Sequence, residues 1–113
     1  MDERLRAELC RIVEDGGPGA DDAAAALGDG PVRQRLKSAV RALARRRGPD
    51  SSTCPSDAAR AVGDENWRDL MDDAREVARE LAKSGEVELT QRGSVVDPDG
   101  DWRGPIRIRS AGR

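Results

Sequence analysis

Seven apolar side chains, Trp67, Leu70, Met71, Ala74, Val77, Ala78 and Leu81, recur at intervals of three and four and form the strongest periodic signal in the chain. An α-helix gathers residues so spaced onto one face. A helix over 66–83 with a seam of that length needs cover, so the rest of the chain has to supply apolar surfaces that dock on it. Asp64 or Asn66 can cap its start, and Ser84-Gly85 ends it.

Those surfaces come in short pieces. Leu5, Leu9, Ile12 and Val13 mark an amphipathic helix over 3–14, stopped by Gly16-Gly17-Pro18, and Asp21-Asp22 opens an Ala-rich turn or two ending at Gly28. The next helix begins near Pro31 and carries Val32, Leu36, Ala39, Val40 and Leu43 on one face until Gly48-Pro49. Cys54 at the cap, Pro55 at the first helical position and Asp57 facing the positive helix end open a short helix that runs to Val62. Beyond Gly85 the period falls to two: Val87, Leu89 and Gln91 alternate with Glu86, Glu88 and Thr90, and Ile106 and Ile108 with Arg107 and Arg109. Two strands therefore flank a loop over 92–104, whose length predicts an extended or partly mobile wing. A loose echo of Arg4-Leu5-Arg6 in Arg35-Leu36-Lys37 drifts in spacing from 31 to 35 residues, and reads as repeated helix vocabulary.

Helix, short helix, long helix and hairpin follow one another in the order of a winged helix-turn-helix. The fold expected is mainly α with a C-terminal β-hairpin, a three-helix core plus wing over 31–113, preceded by a short acidic helical extension over 1–30. Leu, Ile, Val and Phe make up only 19 of 113 residues, so the core must be thin. The net charge of −2 is too small to hold the chain open, and abundant Ala suits closely packed helices.

Charge is balanced in total and segregated locally. Residues 1–30 carry 3 basic and 8 acidic side chains, whereas residues 31–47 carry 7 basic ones and no acid. Arg33, Lys37, Arg41 and Arg45 stand four apart and line one solvent stripe about 18 Å long, at ~1.5 Å per residue. Such a stripe can track phosphates of DNA or RNA, or it can neutralise the acidic first thirty residues. On the long helix Arg68, Arg75, Arg79 and Lys83 are outnumbered by Asp69, Asp72, Asp73, Glu76 and Glu80, which argues against insertion of that helix into a groove. With two Trp and no Phe or Tyr there is no stacking platform for single strands.

Residues 33–109 resemble an uncharacterised bacterial winged-helix family of unknown function. The resemblance is carried by Cys54-Pro55-Ser56 with Ala59-Arg60, by Trp67-Arg68 with Leu70-Met71, by Arg75 with Ala78 and Leu81, by Gly85, by Gly93 with Val96-Asp97-Pro98, and by Gly104-Pro105-Ile106-Arg107. It implies a fold and no established activity.

Enzyme chemistry is not expected. No Gly-rich phosphate loop follows a strand, no nucleophile sits by a base, and the carboxylates are scattered. With no histidine and two distant cysteines, Cys10 and Cys54, a four-ligand zinc site cannot be assembled, and no cofactor or metal is expected. Cys54 reads as a cap or a small buried residue more readily than as a reactive thiol. Trp67 reads as core, and Trp102 as a cover for the hairpin or an anchor for a partner. No stretch is long and apolar enough to span a membrane, and Met1-Asp2-Glu3 does not open a signal peptide, so a reduced cytoplasmic location follows. The sequence thus points to a non-catalytic binding domain without an evident small-molecule substrate. Nucleic-acid association or regulation is the first reading, with Arg33, Lys37, Arg41, Arg45, Arg92 and Arg103 as candidate contacts. A protein-interaction module, in one form homo-oligomeric, is the alternative.

Overall fold

A computed structural model describes residues 3–48, 50–63 and 65–111. Five helices are followed by a small antiparallel sheet: α1 (Glu3–Asp15), α2 (Ala20–Leu27), α3 (Val32–Arg47), α4 (Pro55–Val62), a 3-10 turn (Trp67–Leu70), α5 (Met71–Lys83), β1 (Val87–Gln91), β2 (Ser94–Val95) and β3 (Arg107–Ser110). None of these helices is long and apolar enough to cross a membrane.

The centre of the molecule is α3. Leu36, Ser38, Ala39, Val40, Ala42, Leu43 and Ala44 are all buried on it, a set too broad for the single face expected from the sequence. Small side chains make this possible, because a helix presenting Ala and Ser lets neighbours approach closely from more than one side. Leu5, Leu9 and Ile12 of α1 and Ala23 and Ala26 of α2 belong to the same core cluster as Val77 and Leu81 of α5. Gly19, at φ 88°, closes the turn between α1 and α2, and a Cβ there would lie 3.5 Å from the Ala42 Cα. Two residues expected on apolar faces, Val13 and Val32, are exposed instead, because each lies at the margin of its stripe.

The long helix expected over 66–83 is broken. Trp67–Leu70 forms a 3-10 turn, and the regular helix begins at Met71. Only Ala74, Val77, Ala78 and Leu81 of the seven-member seam are fully buried, while Trp67, Leu70 and Met71 are half-buried. The turn folds tightly onto the end of α4, where a Cβ at Gly63 would meet the Trp67 Cα at 3.0 Å. Asn66 precedes the turn without a side-chain cap, and the other candidate cap, Asp64, lies outside the described residues, as does Pro49.

The expected two-stranded hairpin is a three-stranded sheet in the order β2-β1-β3. Leu89 faces Ile108 and Val87 faces Ser110, so Val87, Leu89 and Ile108 point into the core. Alternation fails at the end of β1, where Thr90 is buried and Gln91 half-buried. Beyond β1, Arg92 and Gly93 both take positive φ, 53° and 85°, and Gln91 pairs with Ser94 across them, as a two-residue type I′ turn requires. On the far side of β3, Thr53 exchanges two backbone hydrogen bonds of 2.7 Å with Ile108, which ties the start of α4 to the sheet.

Nor is the loop after β2 extended. Trp102 donates from Nε1 to the Asp97 carbonyl at 3.1 Å, and Arg79 donates from Nη1 to the Pro98 and Gly100 carbonyls at 2.7 and 3.1 Å. With the Arg79 guanidinium 4.0 Å from the Trp102 ring centroid, the loop folds back on α5.

Leu81→Ala should lower the unfolding free energy by about 2–5 kcal/mol, because it empties the fully buried end of the seam. Val32→Ala should change it by less than about 0.5 kcal/mol. Denaturant unfolding followed by circular dichroism measures both, and equal losses would contradict this placement of the core.

Candidate functional site

Every cation of the stripe on α3 has an acidic neighbour. Arg33 donates to Asp73 at 3.3 Å, to Glu76 at 3.0 Å and to Glu80, and Lys37 donates to Glu80 at 3.4 Å. Arg41 holds Glu86 with two parallel hydrogen bonds of 3.0 Å. Arg45 lies 4.0 Å from Asp22, and Arg46 2.6 Å from Asp15. Arg47, the most enclosed of them, donates to Glu8 at 2.8 and 3.1 Å, to Asp57 at 3.2 Å and to the Ser52 carbonyl at 2.9 Å. The acidic first thirty residues therefore neutralise only the C-terminal end of the stripe, and α5 with Glu86 neutralises the rest.

The protonation of these groups follows the geometry. The paired hydrogen bonds from Arg41 hold the Glu86 carboxyl below its ordinary value near 4.5, against a smaller upward push from burial. For Glu80 burial is the largest influence and acts upward, yet Arg33 and Lys37 together outweigh it and the net shift is down. Arg41 and Arg47 are raised, chiefly by their hydrogen bonds to Glu86 and Glu8.

On α5 the charges are sorted by face. Asp73, Glu76 and Glu80 turn toward α3, whereas Arg75 and Arg79 turn toward the loop after β2. The net charge of the helix, which argued against contact with a polyanion, thus averages over faces that look in different directions. Asp57 is the acid of the first turn of α4, as expected, and it also accepts from Thr53 Oγ1 at 2.7 Å and from Arg47.

The remaining cations gather elsewhere. Arg92 and Arg103 are exposed and make no side-chain hydrogen bond or ion pair among the described residues. With Gln91, Val96, Pro105 and Arg107 they line an open groove of about 470 Å³ beside the sheet. Gln91 fixes its floor by donating from Nε2 to the carbonyls of Arg103 and Pro105. Arg107 is anchored by donating to the Ser52 hydroxyl at 2.8 Å and the Ser52 carbonyl at 3.0 Å. No carboxylate is among the lining residues.

A second cleft of about 340 Å³ adjoins the groove and shares Pro105 and Arg107 with it. Pro55, Met71, Pro105 and Ile106 form its apolar walls, Cys54 and Ser56 lie at the start of α4, and Arg75 and Arg107 supply its charge. Three separate stretches of the resemblance, Cys54-Pro55-Ser56, Met71 with Arg75, and Pro105-Ile106-Arg107, converge here. Cys54 occupies the N-cap position, but its side chain makes no capping hydrogen bond and lies 3.0 Å from Ser56 Oγ. Gly104 accepts a hydrogen bond of 3.0 Å from Arg75 Nη2, which draws the chain to α5. Gln91 is not singled out from sequence, and Arg107 enters only through the resemblance and not as a candidate contact, although the alternation of Ile106 and Ile108 already places it facing outward.

The other cations of the resemblance lie beside an aromatic ring. Arg60 and Arg68 each hold a guanidinium 4.5 Å from the Trp67 ring centroid, so Trp67 is a half-buried ring that packs against the edge of the core and is also covered by charge.

A family model described as "Protein of unknown function (DUF3253)" matches residues 33–111. The matched span includes every residue lining the groove and the cleft, and leaves α1 and α2 outside. Among curated proteins none is significantly similar to the chain.

Because the folded carboxyl of Glu86 titrates below its unfolded value, the stability it contributes is complete above about pH 4.5 and is lost as the pH falls through the folded value. Unfolding free energy should therefore drop in this acid range, and less steeply in Glu86→Gln. At pH 7 Arg41→Ala should cost about 0.5–1 kcal/mol, the scale of a partly exposed pair. An acid limb unchanged in Glu86→Gln would contradict the pairing.

Proposed function

Because the chain belongs to the DUF3253 family, whose description assigns no activity, its role has to be argued from its own residues, and we propose that it is a non-catalytic winged helix-turn-helix domain that associates with duplex nucleic acid through the arginine-lined groove. The winged-helix reading is supported by the order α3, the extended Thr53, α4, α5, then strands with a long intervening loop. In that reading the wing is the segment 92–106 and α5 is the helix beside it.

The observation that carries the reading is the contrast between two sets of cations. Those of the stripe on α3, Arg33, Lys37, Arg41 and Arg45, have carboxylate neighbours, and a polyanion would have to displace them. Arg92 and Arg103 have none, and with Arg75 and Arg107 they border one continuous pair of depressions free of acidic lining. Phosphate neutralisation and counterion release favour the second set. Duplex is favoured over single strands because the chain has only two aromatic rings and arginines already stack against both, where they compete with base stacking. A cytoplasmic setting follows for such a role.

Binding of a short labelled DNA duplex, read by fluorescence anisotropy, should weaken with salt with a logarithmic slope of about −3 to −4, the value for four phosphates. Arg92→Asn gives two readouts of opposite sign. Asn tolerates positive φ and makes the favoured Asn-Gly turn, so stability should rise by about 0.5 kcal/mol while affinity falls and the slope shrinks by about 1. Arg41→Glu should lower stability and leave affinity unchanged. The proposal fails if the duplex does not bind at low salt, or if Arg41→Glu weakens binding as much as Arg92→Asn does.

A further inference from the structure

We propose that the cleft between α4, α5 and the start of β3 is a binding site for a small amphipathic anion, a carboxylate or phosphate carried on an apolar body. Its volume, about 340 Å³, lies at the lower end of the range of roughly 300–1,000 Å³ typical of small-molecule sites. Such sites combine mostly apolar walls with a few polar groups that fix orientation, and this cleft has that make-up. Pro55, Met71, Pro105 and Ile106 would take the body of the ligand, while Arg75 and Arg107 would take its charge.

Both guanidiniums have donors to spare. Arg75 uses Nη2 for the Gly104 carbonyl, and Arg107 uses Nε and Nη2 for Ser52, whereas each carries five N–H groups. These hydrogen bonds also hold the two cations in place, so an anion would meet groups already positioned. Ser56 adds a hydroxyl at the first turn of α4. The nearest carboxylate of that helix, Asp57, is engaged by Thr53 and Arg47 and is absent from the lining. A neutral ligand of the same shape would leave the cationic end unused, and a bare anion would leave the apolar walls wet. Charge complementarity and wall chemistry together select a molecule with both features.

The inference is independent of nucleic-acid binding, and its test uses the full chain without nucleic acid. Octanoate and 1-octanol share an apolar tail and differ in the charged head. Titrated by NMR, octanoate should shift the amides of Ser56, Met71 and Ile106 and bind at least tenfold more tightly than octanol. Arg75→Met, which keeps the apolar reach and removes the charge, should weaken octanoate about tenfold and leave octanol unchanged. Met71→Trp, which fills the cleft, should abolish both. Should Arg75→Met fold poorly by circular dichroism, Arg107→Gln supplies the same comparison. Equal affinity for the two probes, shifts confined to other residues, or octanoate binding that persists in Met71→Trp would each overturn the proposal.

Discussion

Six of the seven cations on α3, a helix whose neighbours cover it from several sides, have a carboxylate partner, Arg35 donating instead to the Ala26 carbonyl, and the need to neutralise them organises the packing of the molecule. A charge brought near a low-dielectric interior without a partner is strongly unfavourable. Here α1 and α2 bring Glu8, Asp15 and Asp22 to one end of the helix, while α5 and the start of β1 bring Asp73, Glu76, Glu80 and Glu86 to the other. Individually these partly exposed pairs contribute little to stability. Collectively they help to choose among orientations, because the many alanines beside the branched side chains of the core leave helix contacts that shape alone fixes weakly. The apolar residues make the helices associate, and the ion pairs set how.

Most of the helical architecture is legible in the sequence because period and breakers agree. Leu5, Leu9 and Ile12 are spaced for a helix and are buried on one, and Pro55 opens α4 where its missing N–H costs nothing. The failures have local causes. The second buried side of α3 rests on Ser38, Ala42 and Ala44, small residues that a search for large apolar side chains passes over. The short β2 escapes notice because its turn is Arg92-Gly93, and a non-glycine residue at positive φ does not advertise a type I′ turn as Asn-Gly does. The 3-10 turn at Trp67 depends on the close approach that Gly63 permits, a tertiary effect that no periodicity reports.

The site was legible as a list of residues and illegible as a place. Arg92 and Arg103 stood among the candidate nucleic-acid contacts, and the resemblance singled out Cys54, Ser56, Met71, Arg75, Pro105 and Arg107. Nothing in their spacing says that segments separated by some fifty residues meet around one cleft. The partners of the basic stripe were illegible for a related reason. Charges at intervals of four share a face, but whether that face meets water or a neighbouring helix is decided by the fold, and here it meets Glu80 and Glu86.

The paired and the unpaired cations are nevertheless physically connected. The Ser52 carbonyl accepts from Arg47 at 2.9 Å and from Arg107 at 3.0 Å, which uses both of its lone pairs. Arg47 is held in turn by Glu8 of α1, a helix outside the family-matched span, and by Asp57 of α4. One backbone group therefore joins the neutralised network at the end of α3 to the cation shared by groove and cleft. A planar guanidinium clamped on two sides has little freedom to rotate, so the carbonyl it donates to is fixed as well. The position of Arg107 is thus tied, through Ser52 and Arg47, to Glu8 of a helix that contributes no residue to the lining of the groove.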